Sequence, residues 1–149
     1  MTTIRQSTCL LGLVVCFLRA PAACALDDSG AKLVISKFLA SQNSEQGTAS
    51  EGPHAITDLD GDGKADIVLL WDLMGPTSFY AKLTLFLDQG KNYRTLTTDL
   101  NGQTQGLTVK GPMIMIDTLT LGPKDPLCCP TVKQQLVFRW AGGKLTQQK

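Results

Sequence analysis

The sequence predicts a mainly β protein, an antiparallel meander of six to eight strands with one short N-terminal helix. Three observations support that fold class. Apolar and polar residues alternate strictly along several segments, turn-forming residues cluster between those segments, and one stretch near the start carries apolar residues at helical spacing. With 149 residues, of which 43% are hydrophobic, the chain is long enough to bury the core of one domain.

Residues 1–25 have the pattern of a secretory signal peptide. Arg5 supplies the positive charge of the N-terminal region, residues 9–18 form an apolar run, and residues 23–25 match the A-x-A cleavage pattern. As a helix, an apolar run of this length spans only about half of a bilayer. The mature chain is therefore expected to have no transmembrane segment. Two alternatives stay open. The segment could be a buried helix, or Cys24 could be the lipid-modified residue of a lipoprotein.

Cleavage before Leu26 changes both the charge and the cysteine content of the chain. The full sequence has 14 basic and 13 acidic side chains, and the removed segment contains two of the basic ones and no acidic one. The mature chain therefore has a net charge of −1, which excludes the basic excess typical of proteins that bind nucleic acid. We expect a periplasmic or secreted protein that keeps two cysteines, Cys128 and Cys129.

Residues 26–53 are predicted to contain a short helix followed by a flexible linker. Residues 28–29 can cap a helix over residues 30–40. The apolar face of that helix consists of Ala31, Val34, Ile35 and Phe38. Residues 41–53 are polar and lack apolar periodicity, which is typical of a linker. The antiparallel β domain is accordingly placed at residues 54–149.

The β domain is predicted from alternating segments and the turns between them. Residues 81–88, 113–121 and 135–140 alternate between two sets of side chains, as half-buried antiparallel strands do. The turn-forming clusters are Gly75-Pro76, Gln89-Gly90-Lys91-Asn92, Asn101-Gly102, Gly111-Pro112 and Gly142-Gly143. The first two strands are expected at residues 55–57 and 66–72.

The loop between those first two strands carries four carboxylates within nine residues. They stand at positions one, three, five and nine: Asp58, Asp60, Asp62 and Asp66. Negative charges this close repel one another unless a cation lies between them. Oxygen ligands of this kind suit a hard cation, and Ca²⁺ is the predicted cofactor. The alternative is a metal-free turn, because Asp, Gly and Lys are also ordinary turn residues.

The same residues resemble a known calcium loop. Residues 58–68, with the pattern D-x-D-G-D-G-x-A-D-I-V, are similar to the loop of FG-GAP and VCBS-type repeats, found in integrin α-subunit propellers and many exported bacterial proteins. The resemblance implies that the ion is held by the carboxylates of Asp58, Asp60, Asp62 and Asp66 and by the carbonyl of Lys64. It does not imply a propeller, since one copy cannot supply several blades. The loop is not an EF-hand, because its position twelve is Leu69, where that motif needs Glu.

Two adjacent cysteines form a second unusual feature. Cys128 and Cys129 lie in a loop between Pro126 and Pro130. We predict a structural vicinal disulfide, although adjacent Cα atoms about 3.8 Å apart are closer than a relaxed disulfide prefers. Cross-links to other chains, buried thiols, and a redox or metal role are the alternatives. The D-P-x-C-C-P pattern also resembles the C-terminal part of some small exported bacterial proteins and lipoproteins.

The remaining candidates are weaker. His54 is the only histidine, so the sequence offers no Ser-His-Asp or Cys-His pair beyond chance, and we predict that the protein is not an enzyme. His54 itself is expected at the surface, at the start of a strand. Met74, Phe79 and Tyr80 belong to the longest apolar loop and could contact a partner. Alternatively, they fold back on the core.

These features together predict a small exported binding domain stabilised by one Ca²⁺, whose partner is a protein or another component of the cell envelope. A sharper hypothesis is a periplasmic inhibitor or an immunity-type protein. Two alternatives belong to other classes. One is an enzyme or enzyme subunit in which calcium orients the substrate, and the other is a structural envelope protein.

Overall fold

A computed structural model describes residues 26–45, 47–76, 79–126 and 128–148. The predicted signal peptide, with Cys24, lies outside the described residues. The helix and strands are α1 (Asp28–Gln42), β1 (Thr48–Thr57), β2 (Asp66–Met74), β3 (Phe79–Asp88), β4 (Tyr93–Leu100), β5 (Gln103–Lys110), β6 (Met113–Thr120), β7 (Val132–Ala141) and β8 (Lys144–Gln148).

The eight strands form two antiparallel sheets, each a four-stranded meander. The first sheet has the order β1-β2-β3-β4 and the second the order β5-β6-β7-β8. The mainly β prediction is therefore confirmed, but the meander divides after β4. The chain leaves the first sheet through Asn101 and Gly102, whose φ is +92°. A Cβ atom at Gly102 would lie 2.5 Å from the carbonyl oxygen of Leu119, so only glycine fits this turn.

The main core lies between the two sheets. β5 begins directly after β4 yet contacts β1, the strand at the opposite edge of the first sheet. The first sheet supplies Val68, Leu70, Ala81, Leu83, Leu85, Leu87 and Leu100. The second sheet supplies Ile114, Ile116, Leu136, Phe138 and Trp140. Burial of these apolar surfaces is the main stabilising contribution to the fold.

Helix α1 covers the other face of the first sheet and makes a third layer. It begins two residues earlier than predicted, because Asp27 is the N-cap and its carboxylate accepts a hydrogen bond from Gly30 N at 2.8 Å. Its buried residues pack against Ile67, Leu69, Trp71 and Phe86. This second contact explains why β2 is buried on both faces from Asp66 to Trp71. Among the described residues, no helix is long and apolar enough to cross a membrane.

The predicted linker is wrong in its second half. Residues 48–53 form the first part of β1, with Thr48 opposite Met74 and Glu51 opposite Trp71. Their polar composition fits an edge strand, where side chains face water while the backbone pairs with β2. The β domain therefore begins at Thr48 rather than at residue 54.

Candidate metal site and thiol-lined groove

The acidic loop connects β1 to β2 and is held by its own side chains. Gly61 and Gly63 have φ values of +82° and +83°, a conformation that favours glycine. The backbone turns at these two glycines, and the Asp58 carboxylate accepts hydrogen bonds from Gly61 N at 2.8 Å and from Gly63 N at 3.0 Å. The loop thus wraps its backbone around the first carboxylate of the motif.

Asp66 anchors the loop to the first sheet. Its side chain is 1% exposed and accepts hydrogen bonds from Leu59 N and Asp88 N, both at 2.9 Å. Burial raises the pKa of Asp66, and the two backbone donors oppose that rise by favouring the charged carboxylate. Asp66 therefore joins the loop, the start of β2 and the end of β3.

Three of the four predicted carboxylates converge. One ligand oxygen from each of Asp58, Asp60 and Asp66 lies within 4.8 Å of the other two. Oxygens that share one Ca²⁺ lie at most about 5 Å apart, since each metal–oxygen distance is about 2.5 Å. The donor set and its spacing therefore fit a calcium ion.

Asp62 and Lys64 lie outside that group and pair with each other. The Lys64 ammonium is 2.6 Å from Asp62 Oδ2, and this contact lowers the pKa of Asp62. The Lys64 ammonium also lies 3.5 Å from the carbonyl oxygen of Asp88. The Lys64 side chain is 44% exposed.

A cleft of about 650 Å³ opens beside the acidic loop. Asp60 and Lys64 line one side of it, Arg94 lines another part, and Trp140 contributes to its apolar surface. Because Asp60 is shared by the carboxylate group and the cleft, a ligand in the cleft would lie close to a bound cation.

The cysteine loop lies at the other end of the sheets and is held by Asp125. The Asp125 carboxylate accepts hydrogen bonds from Gly122 N and Thr131 N, both at 2.8 Å, and from the Thr131 hydroxyl. These bonds, led by that from Gly122 N, lower the pKa of Asp125. Cys128 and Cys129 are exposed free thiols in the structure, not the disulfide that the sequence favours. A disulfide between them stays a prediction for the oxidised protein.

A groove of about 790 Å³ runs between the two sheets beside this loop. Its lining is mainly apolar and includes Phe79, Tyr80, Leu100, Leu119, Leu121, Cys128 and Pro130. Phe79, Tyr80 and Leu121 are 44%, 53% and 49% exposed, which is unusual for large apolar side chains that have a core beside them. Met74, which pairs with Phe79 across β2 and β3, is also exposed. The predicted partner-contact residues are therefore on the surface and close together.

The sequence missed the role of His54. Its Nε2 atom is 3.0 Å from Asp28 Oδ1 of α1, and its Nδ1 atom is 3.5 Å from Glu51 Oε1 of β1. The side chain is only 14% exposed. His54 thus connects the helix to the first sheet, a contact between residues too far apart in sequence for any local pattern to indicate.

No family model, no curated protein and no solved structure matches the chain. The resemblance to FG-GAP and VCBS-type loops consequently depends on residues 58–68 alone.

Proposed function

We propose that the chain is an exported, calcium-stabilised binding domain whose partner is a protein or another envelope component. The observation that carries the proposal is the convergence of Asp58, Asp60 and Asp66 within 4.8 Å in the loop that connects β1 to β2. A cation between these carboxylates removes their mutual repulsion. Through Asp66, the same loop is hydrogen-bonded to the end of β3, so ion binding would strengthen the first sheet.

The size of the stabilisation follows from linkage. An ion that binds the folded chain and not the unfolded chain stabilises the fold according to its concentration relative to its dissociation constant. Extracellular calcium modules have dissociation constants of about 10⁻⁴ to 10⁻³ M. At ten times that constant, the expected stabilisation is about 1.4 kcal/mol.

The test is thermal unfolding with Ca²⁺ and with EDTA. Calcium at about 10 mM, roughly saturating for such a site, should raise the melting temperature, and EDTA should reverse the change. Asp60→Asn should abolish most of that increase. Asp117→Asn is the matched control, because Asp117 is an exposed aspartate on β6 outside the acidic loop. An unchanged melting curve in calcium would overturn the metal site.

The binding role is supported by the opposite end of the molecule, where Met74, Phe79 and Tyr80 are exposed together. A contiguous apolar surface of this kind is typical of a contact site for a partner. An affinity purification from the envelope fraction, compared with a Tyr80→Ser variant, should identify the partner. If the captured protein is a hydrolase or toxin whose activity falls on binding, the inhibitor hypothesis is supported. N-terminal sequencing of the purified protein should begin at Leu26 if the chain is exported and processed.

The cleft beside the acidic loop favours one second candidate, in which calcium orients a substrate. That role needs open positions on the ion, facing the cleft that Asp60 lines. The luminescence lifetime of Eu³⁺, bound in place of Ca²⁺, counts the water molecules on the ion. Two or more waters would support the substrate role, and none would favour a purely structural ion.

A further inference from the structure

Cys128 and Cys129 lie in a loop whose two ends are held together by hydrogen bonds. Asp125 bonds to both sides of the loop, and Cys129 N donates to the Pro126 carbonyl at 2.9 Å. Proline at positions 126 and 130 further restricts the backbone. The two thiols are exposed, and they contact each other. Reactive thiols are accessible in this way, whereas structural cysteines are usually buried.

One of the two thiols also faces a binding surface. Cys128 lines the groove between the sheets, together with Tyr80 and Leu121. The groove is large enough for several side chains of an extended peptide, and Asp99 is the one charged side chain that lines it among the described residues. An apolar segment would therefore bury surface in the groove while one of its atoms reached the Cys128 sulfur.

We propose that Cys128, Cys129 and this groove form a thiol–disulfide exchange site that captures an apolar peptide segment containing a disulfide. The groove selects the segment by its apolar side chains, and the thiols select it by its disulfide. This site lies at the far end of the sheets from the acidic loop, so its action is separate from calcium binding.

The exchange proceeds in two balanced steps. The Cys128 thiolate attacks one sulfur of the peptide disulfide. That S–S bond breaks, a mixed disulfide forms with Cys128, and the other peptide sulfur leaves as a thiolate that takes up a proton. The Cys129 thiol then loses its proton, and its thiolate attacks Cys128 Sγ. The peptide leaves as a thiol and a Cys128–Cys129 disulfide remains. The peptide disulfide gains two electrons and the dithiol loses them.

The two cysteines have different roles. Contact with Cys128 raises the pKa of the Cys129 thiol, so Cys129 stays protonated while Cys128, at the groove, reacts first. A disulfide between adjacent residues is strained, and a strained disulfide is readily opened again. The second step is therefore slow or reversible, and the site holds its ligand as a mixed disulfide before releasing it.

The experiment uses the full chain with Cys9, Cys16 and Cys24 replaced by alanine, so that the labelled thiols are Cys128 and Cys129. Two probe peptides carry the same activated cysteine disulfide, one flanked by leucine and phenylalanine and the other by serine and asparagine. The apolar peptide should be captured about tenfold faster, a difference smaller than full burial of one leucine side chain provides. Mass spectrometry should place the mixed disulfide on Cys128.

Single substitutions separate the thiols from the groove. Cys128→Ser should abolish capture. Cys129→Ser should preserve capture and abolish release of the peptide. Leu121→Ser should remove most of the preference for the apolar peptide. The matched control is Leu33→Ser, because Leu33 is 67% exposed on α1 and does not line the groove.

Oxidised glutathione, a small polar disulfide, serves as a second probe. It should react with the Leu121→Ser variant at the wild-type rate, which shows that the variant is folded and its thiols are intact. Equal capture rates for the two peptides in the wild type would overturn the groove's role. Capture at Cys129 rather than Cys128, or release that persists in Cys129→Ser, would overturn the assigned roles.

Discussion

Asp66 and Asp72 lie near the two ends of β2, and their surroundings differ. Asp66 is buried and accepts two backbone hydrogen bonds. Asp72 is half-buried, its Oδ1 atom is inaccessible, and no group in the described part of the chain donates to that atom. Burial raises the pKa of both carboxyls. The same residue type is thus an anchor at one end of the strand and an unfavourable charge at the other.

The loops at the two ends of the sheets, the acidic loop and the cysteine loop, also differ in the chemical groups that they present. The loop at the Asp66 end presents carboxylate oxygens, which are hard ligands, and two of its backbone N–H groups donate to the Asp58 carboxylate. The loop at the other end presents two thiols beside an exposed apolar groove. We infer that one end of the sheets stabilises the fold through an ion, while the other end is the interaction surface.

The largest effect should come from removing the buried anchor. Asp66→Ala leaves the N–H groups of Leu59 and Asp88 without an acceptor, and each buried donor left unsatisfied costs about 1–3 kcal/mol. We expect a loss of about 3 kcal/mol in the free energy of unfolding, measured by urea denaturation in EDTA so that no bound ion contributes.

Asp125→Ala is the matched comparison at the other end. Asp125 also closes a loop by accepting backbone hydrogen bonds, but it is only partly buried, so water can replace much of the lost acceptor. Its loss of stability should be clearly smaller than that of Asp66→Ala. Equal losses would contradict the contrast between a fully buried and a partly buried anchor.

Asp72→Asn should act in the opposite direction and depend on pH. Because burial raises the pKa of Asp72 on folding, its ionisation destabilises the folded state, and this penalty grows as the pH rises from the ordinary pKa to the raised pKa. Below about pH 4, the ordinary pKa of aspartate, the carboxyl is protonated in both states and the penalty disappears. The variant should therefore gain stability relative to wild type as the pH rises from 4 to 7. A difference that is constant with pH would show that Asp72 carries no electrostatic penalty.

The smallest effect concerns Lys64. Its ammonium pairs with Asp62 beside the three converging carboxylates. Lys64→Met removes a positive charge that repels a nearby cation, and it frees Asp62 to act as a ligand. Calorimetric titration should show a calcium affinity about threefold higher at low salt, and the gain should shrink as salt screens the charges. Lys91→Met, an exposed lysine outside the acidic loop, is the control and should leave the affinity unchanged.

Much of the candidate site could be predicted because its signal is local. The aspartates of the acidic loop stand at fixed spacing in sequence, and the structure brings three of them together. The sequence could not indicate that Asp62 would turn toward Lys64, since both a ligand and an ion pair suit the same carboxylate. The polar composition of residues 48–53 suggested a linker, because an exposed edge strand and a linker have similar composition.

The mainly β fold, the helix near the start and the acidic loop could all be predicted, because alternation, helical spacing and ligand spacing are properties of neighbouring residues. Local patterns could not indicate that Ile114 and Ile116 face the core while Met113 and Met115 are half-exposed. Nor could they indicate the division into two sheets, the position of His54 between α1 and β1, or the groove beside Cys128. Each of these depends on surfaces contributed by distant segments, and the free energy of burying them together is set only when the chain has folded.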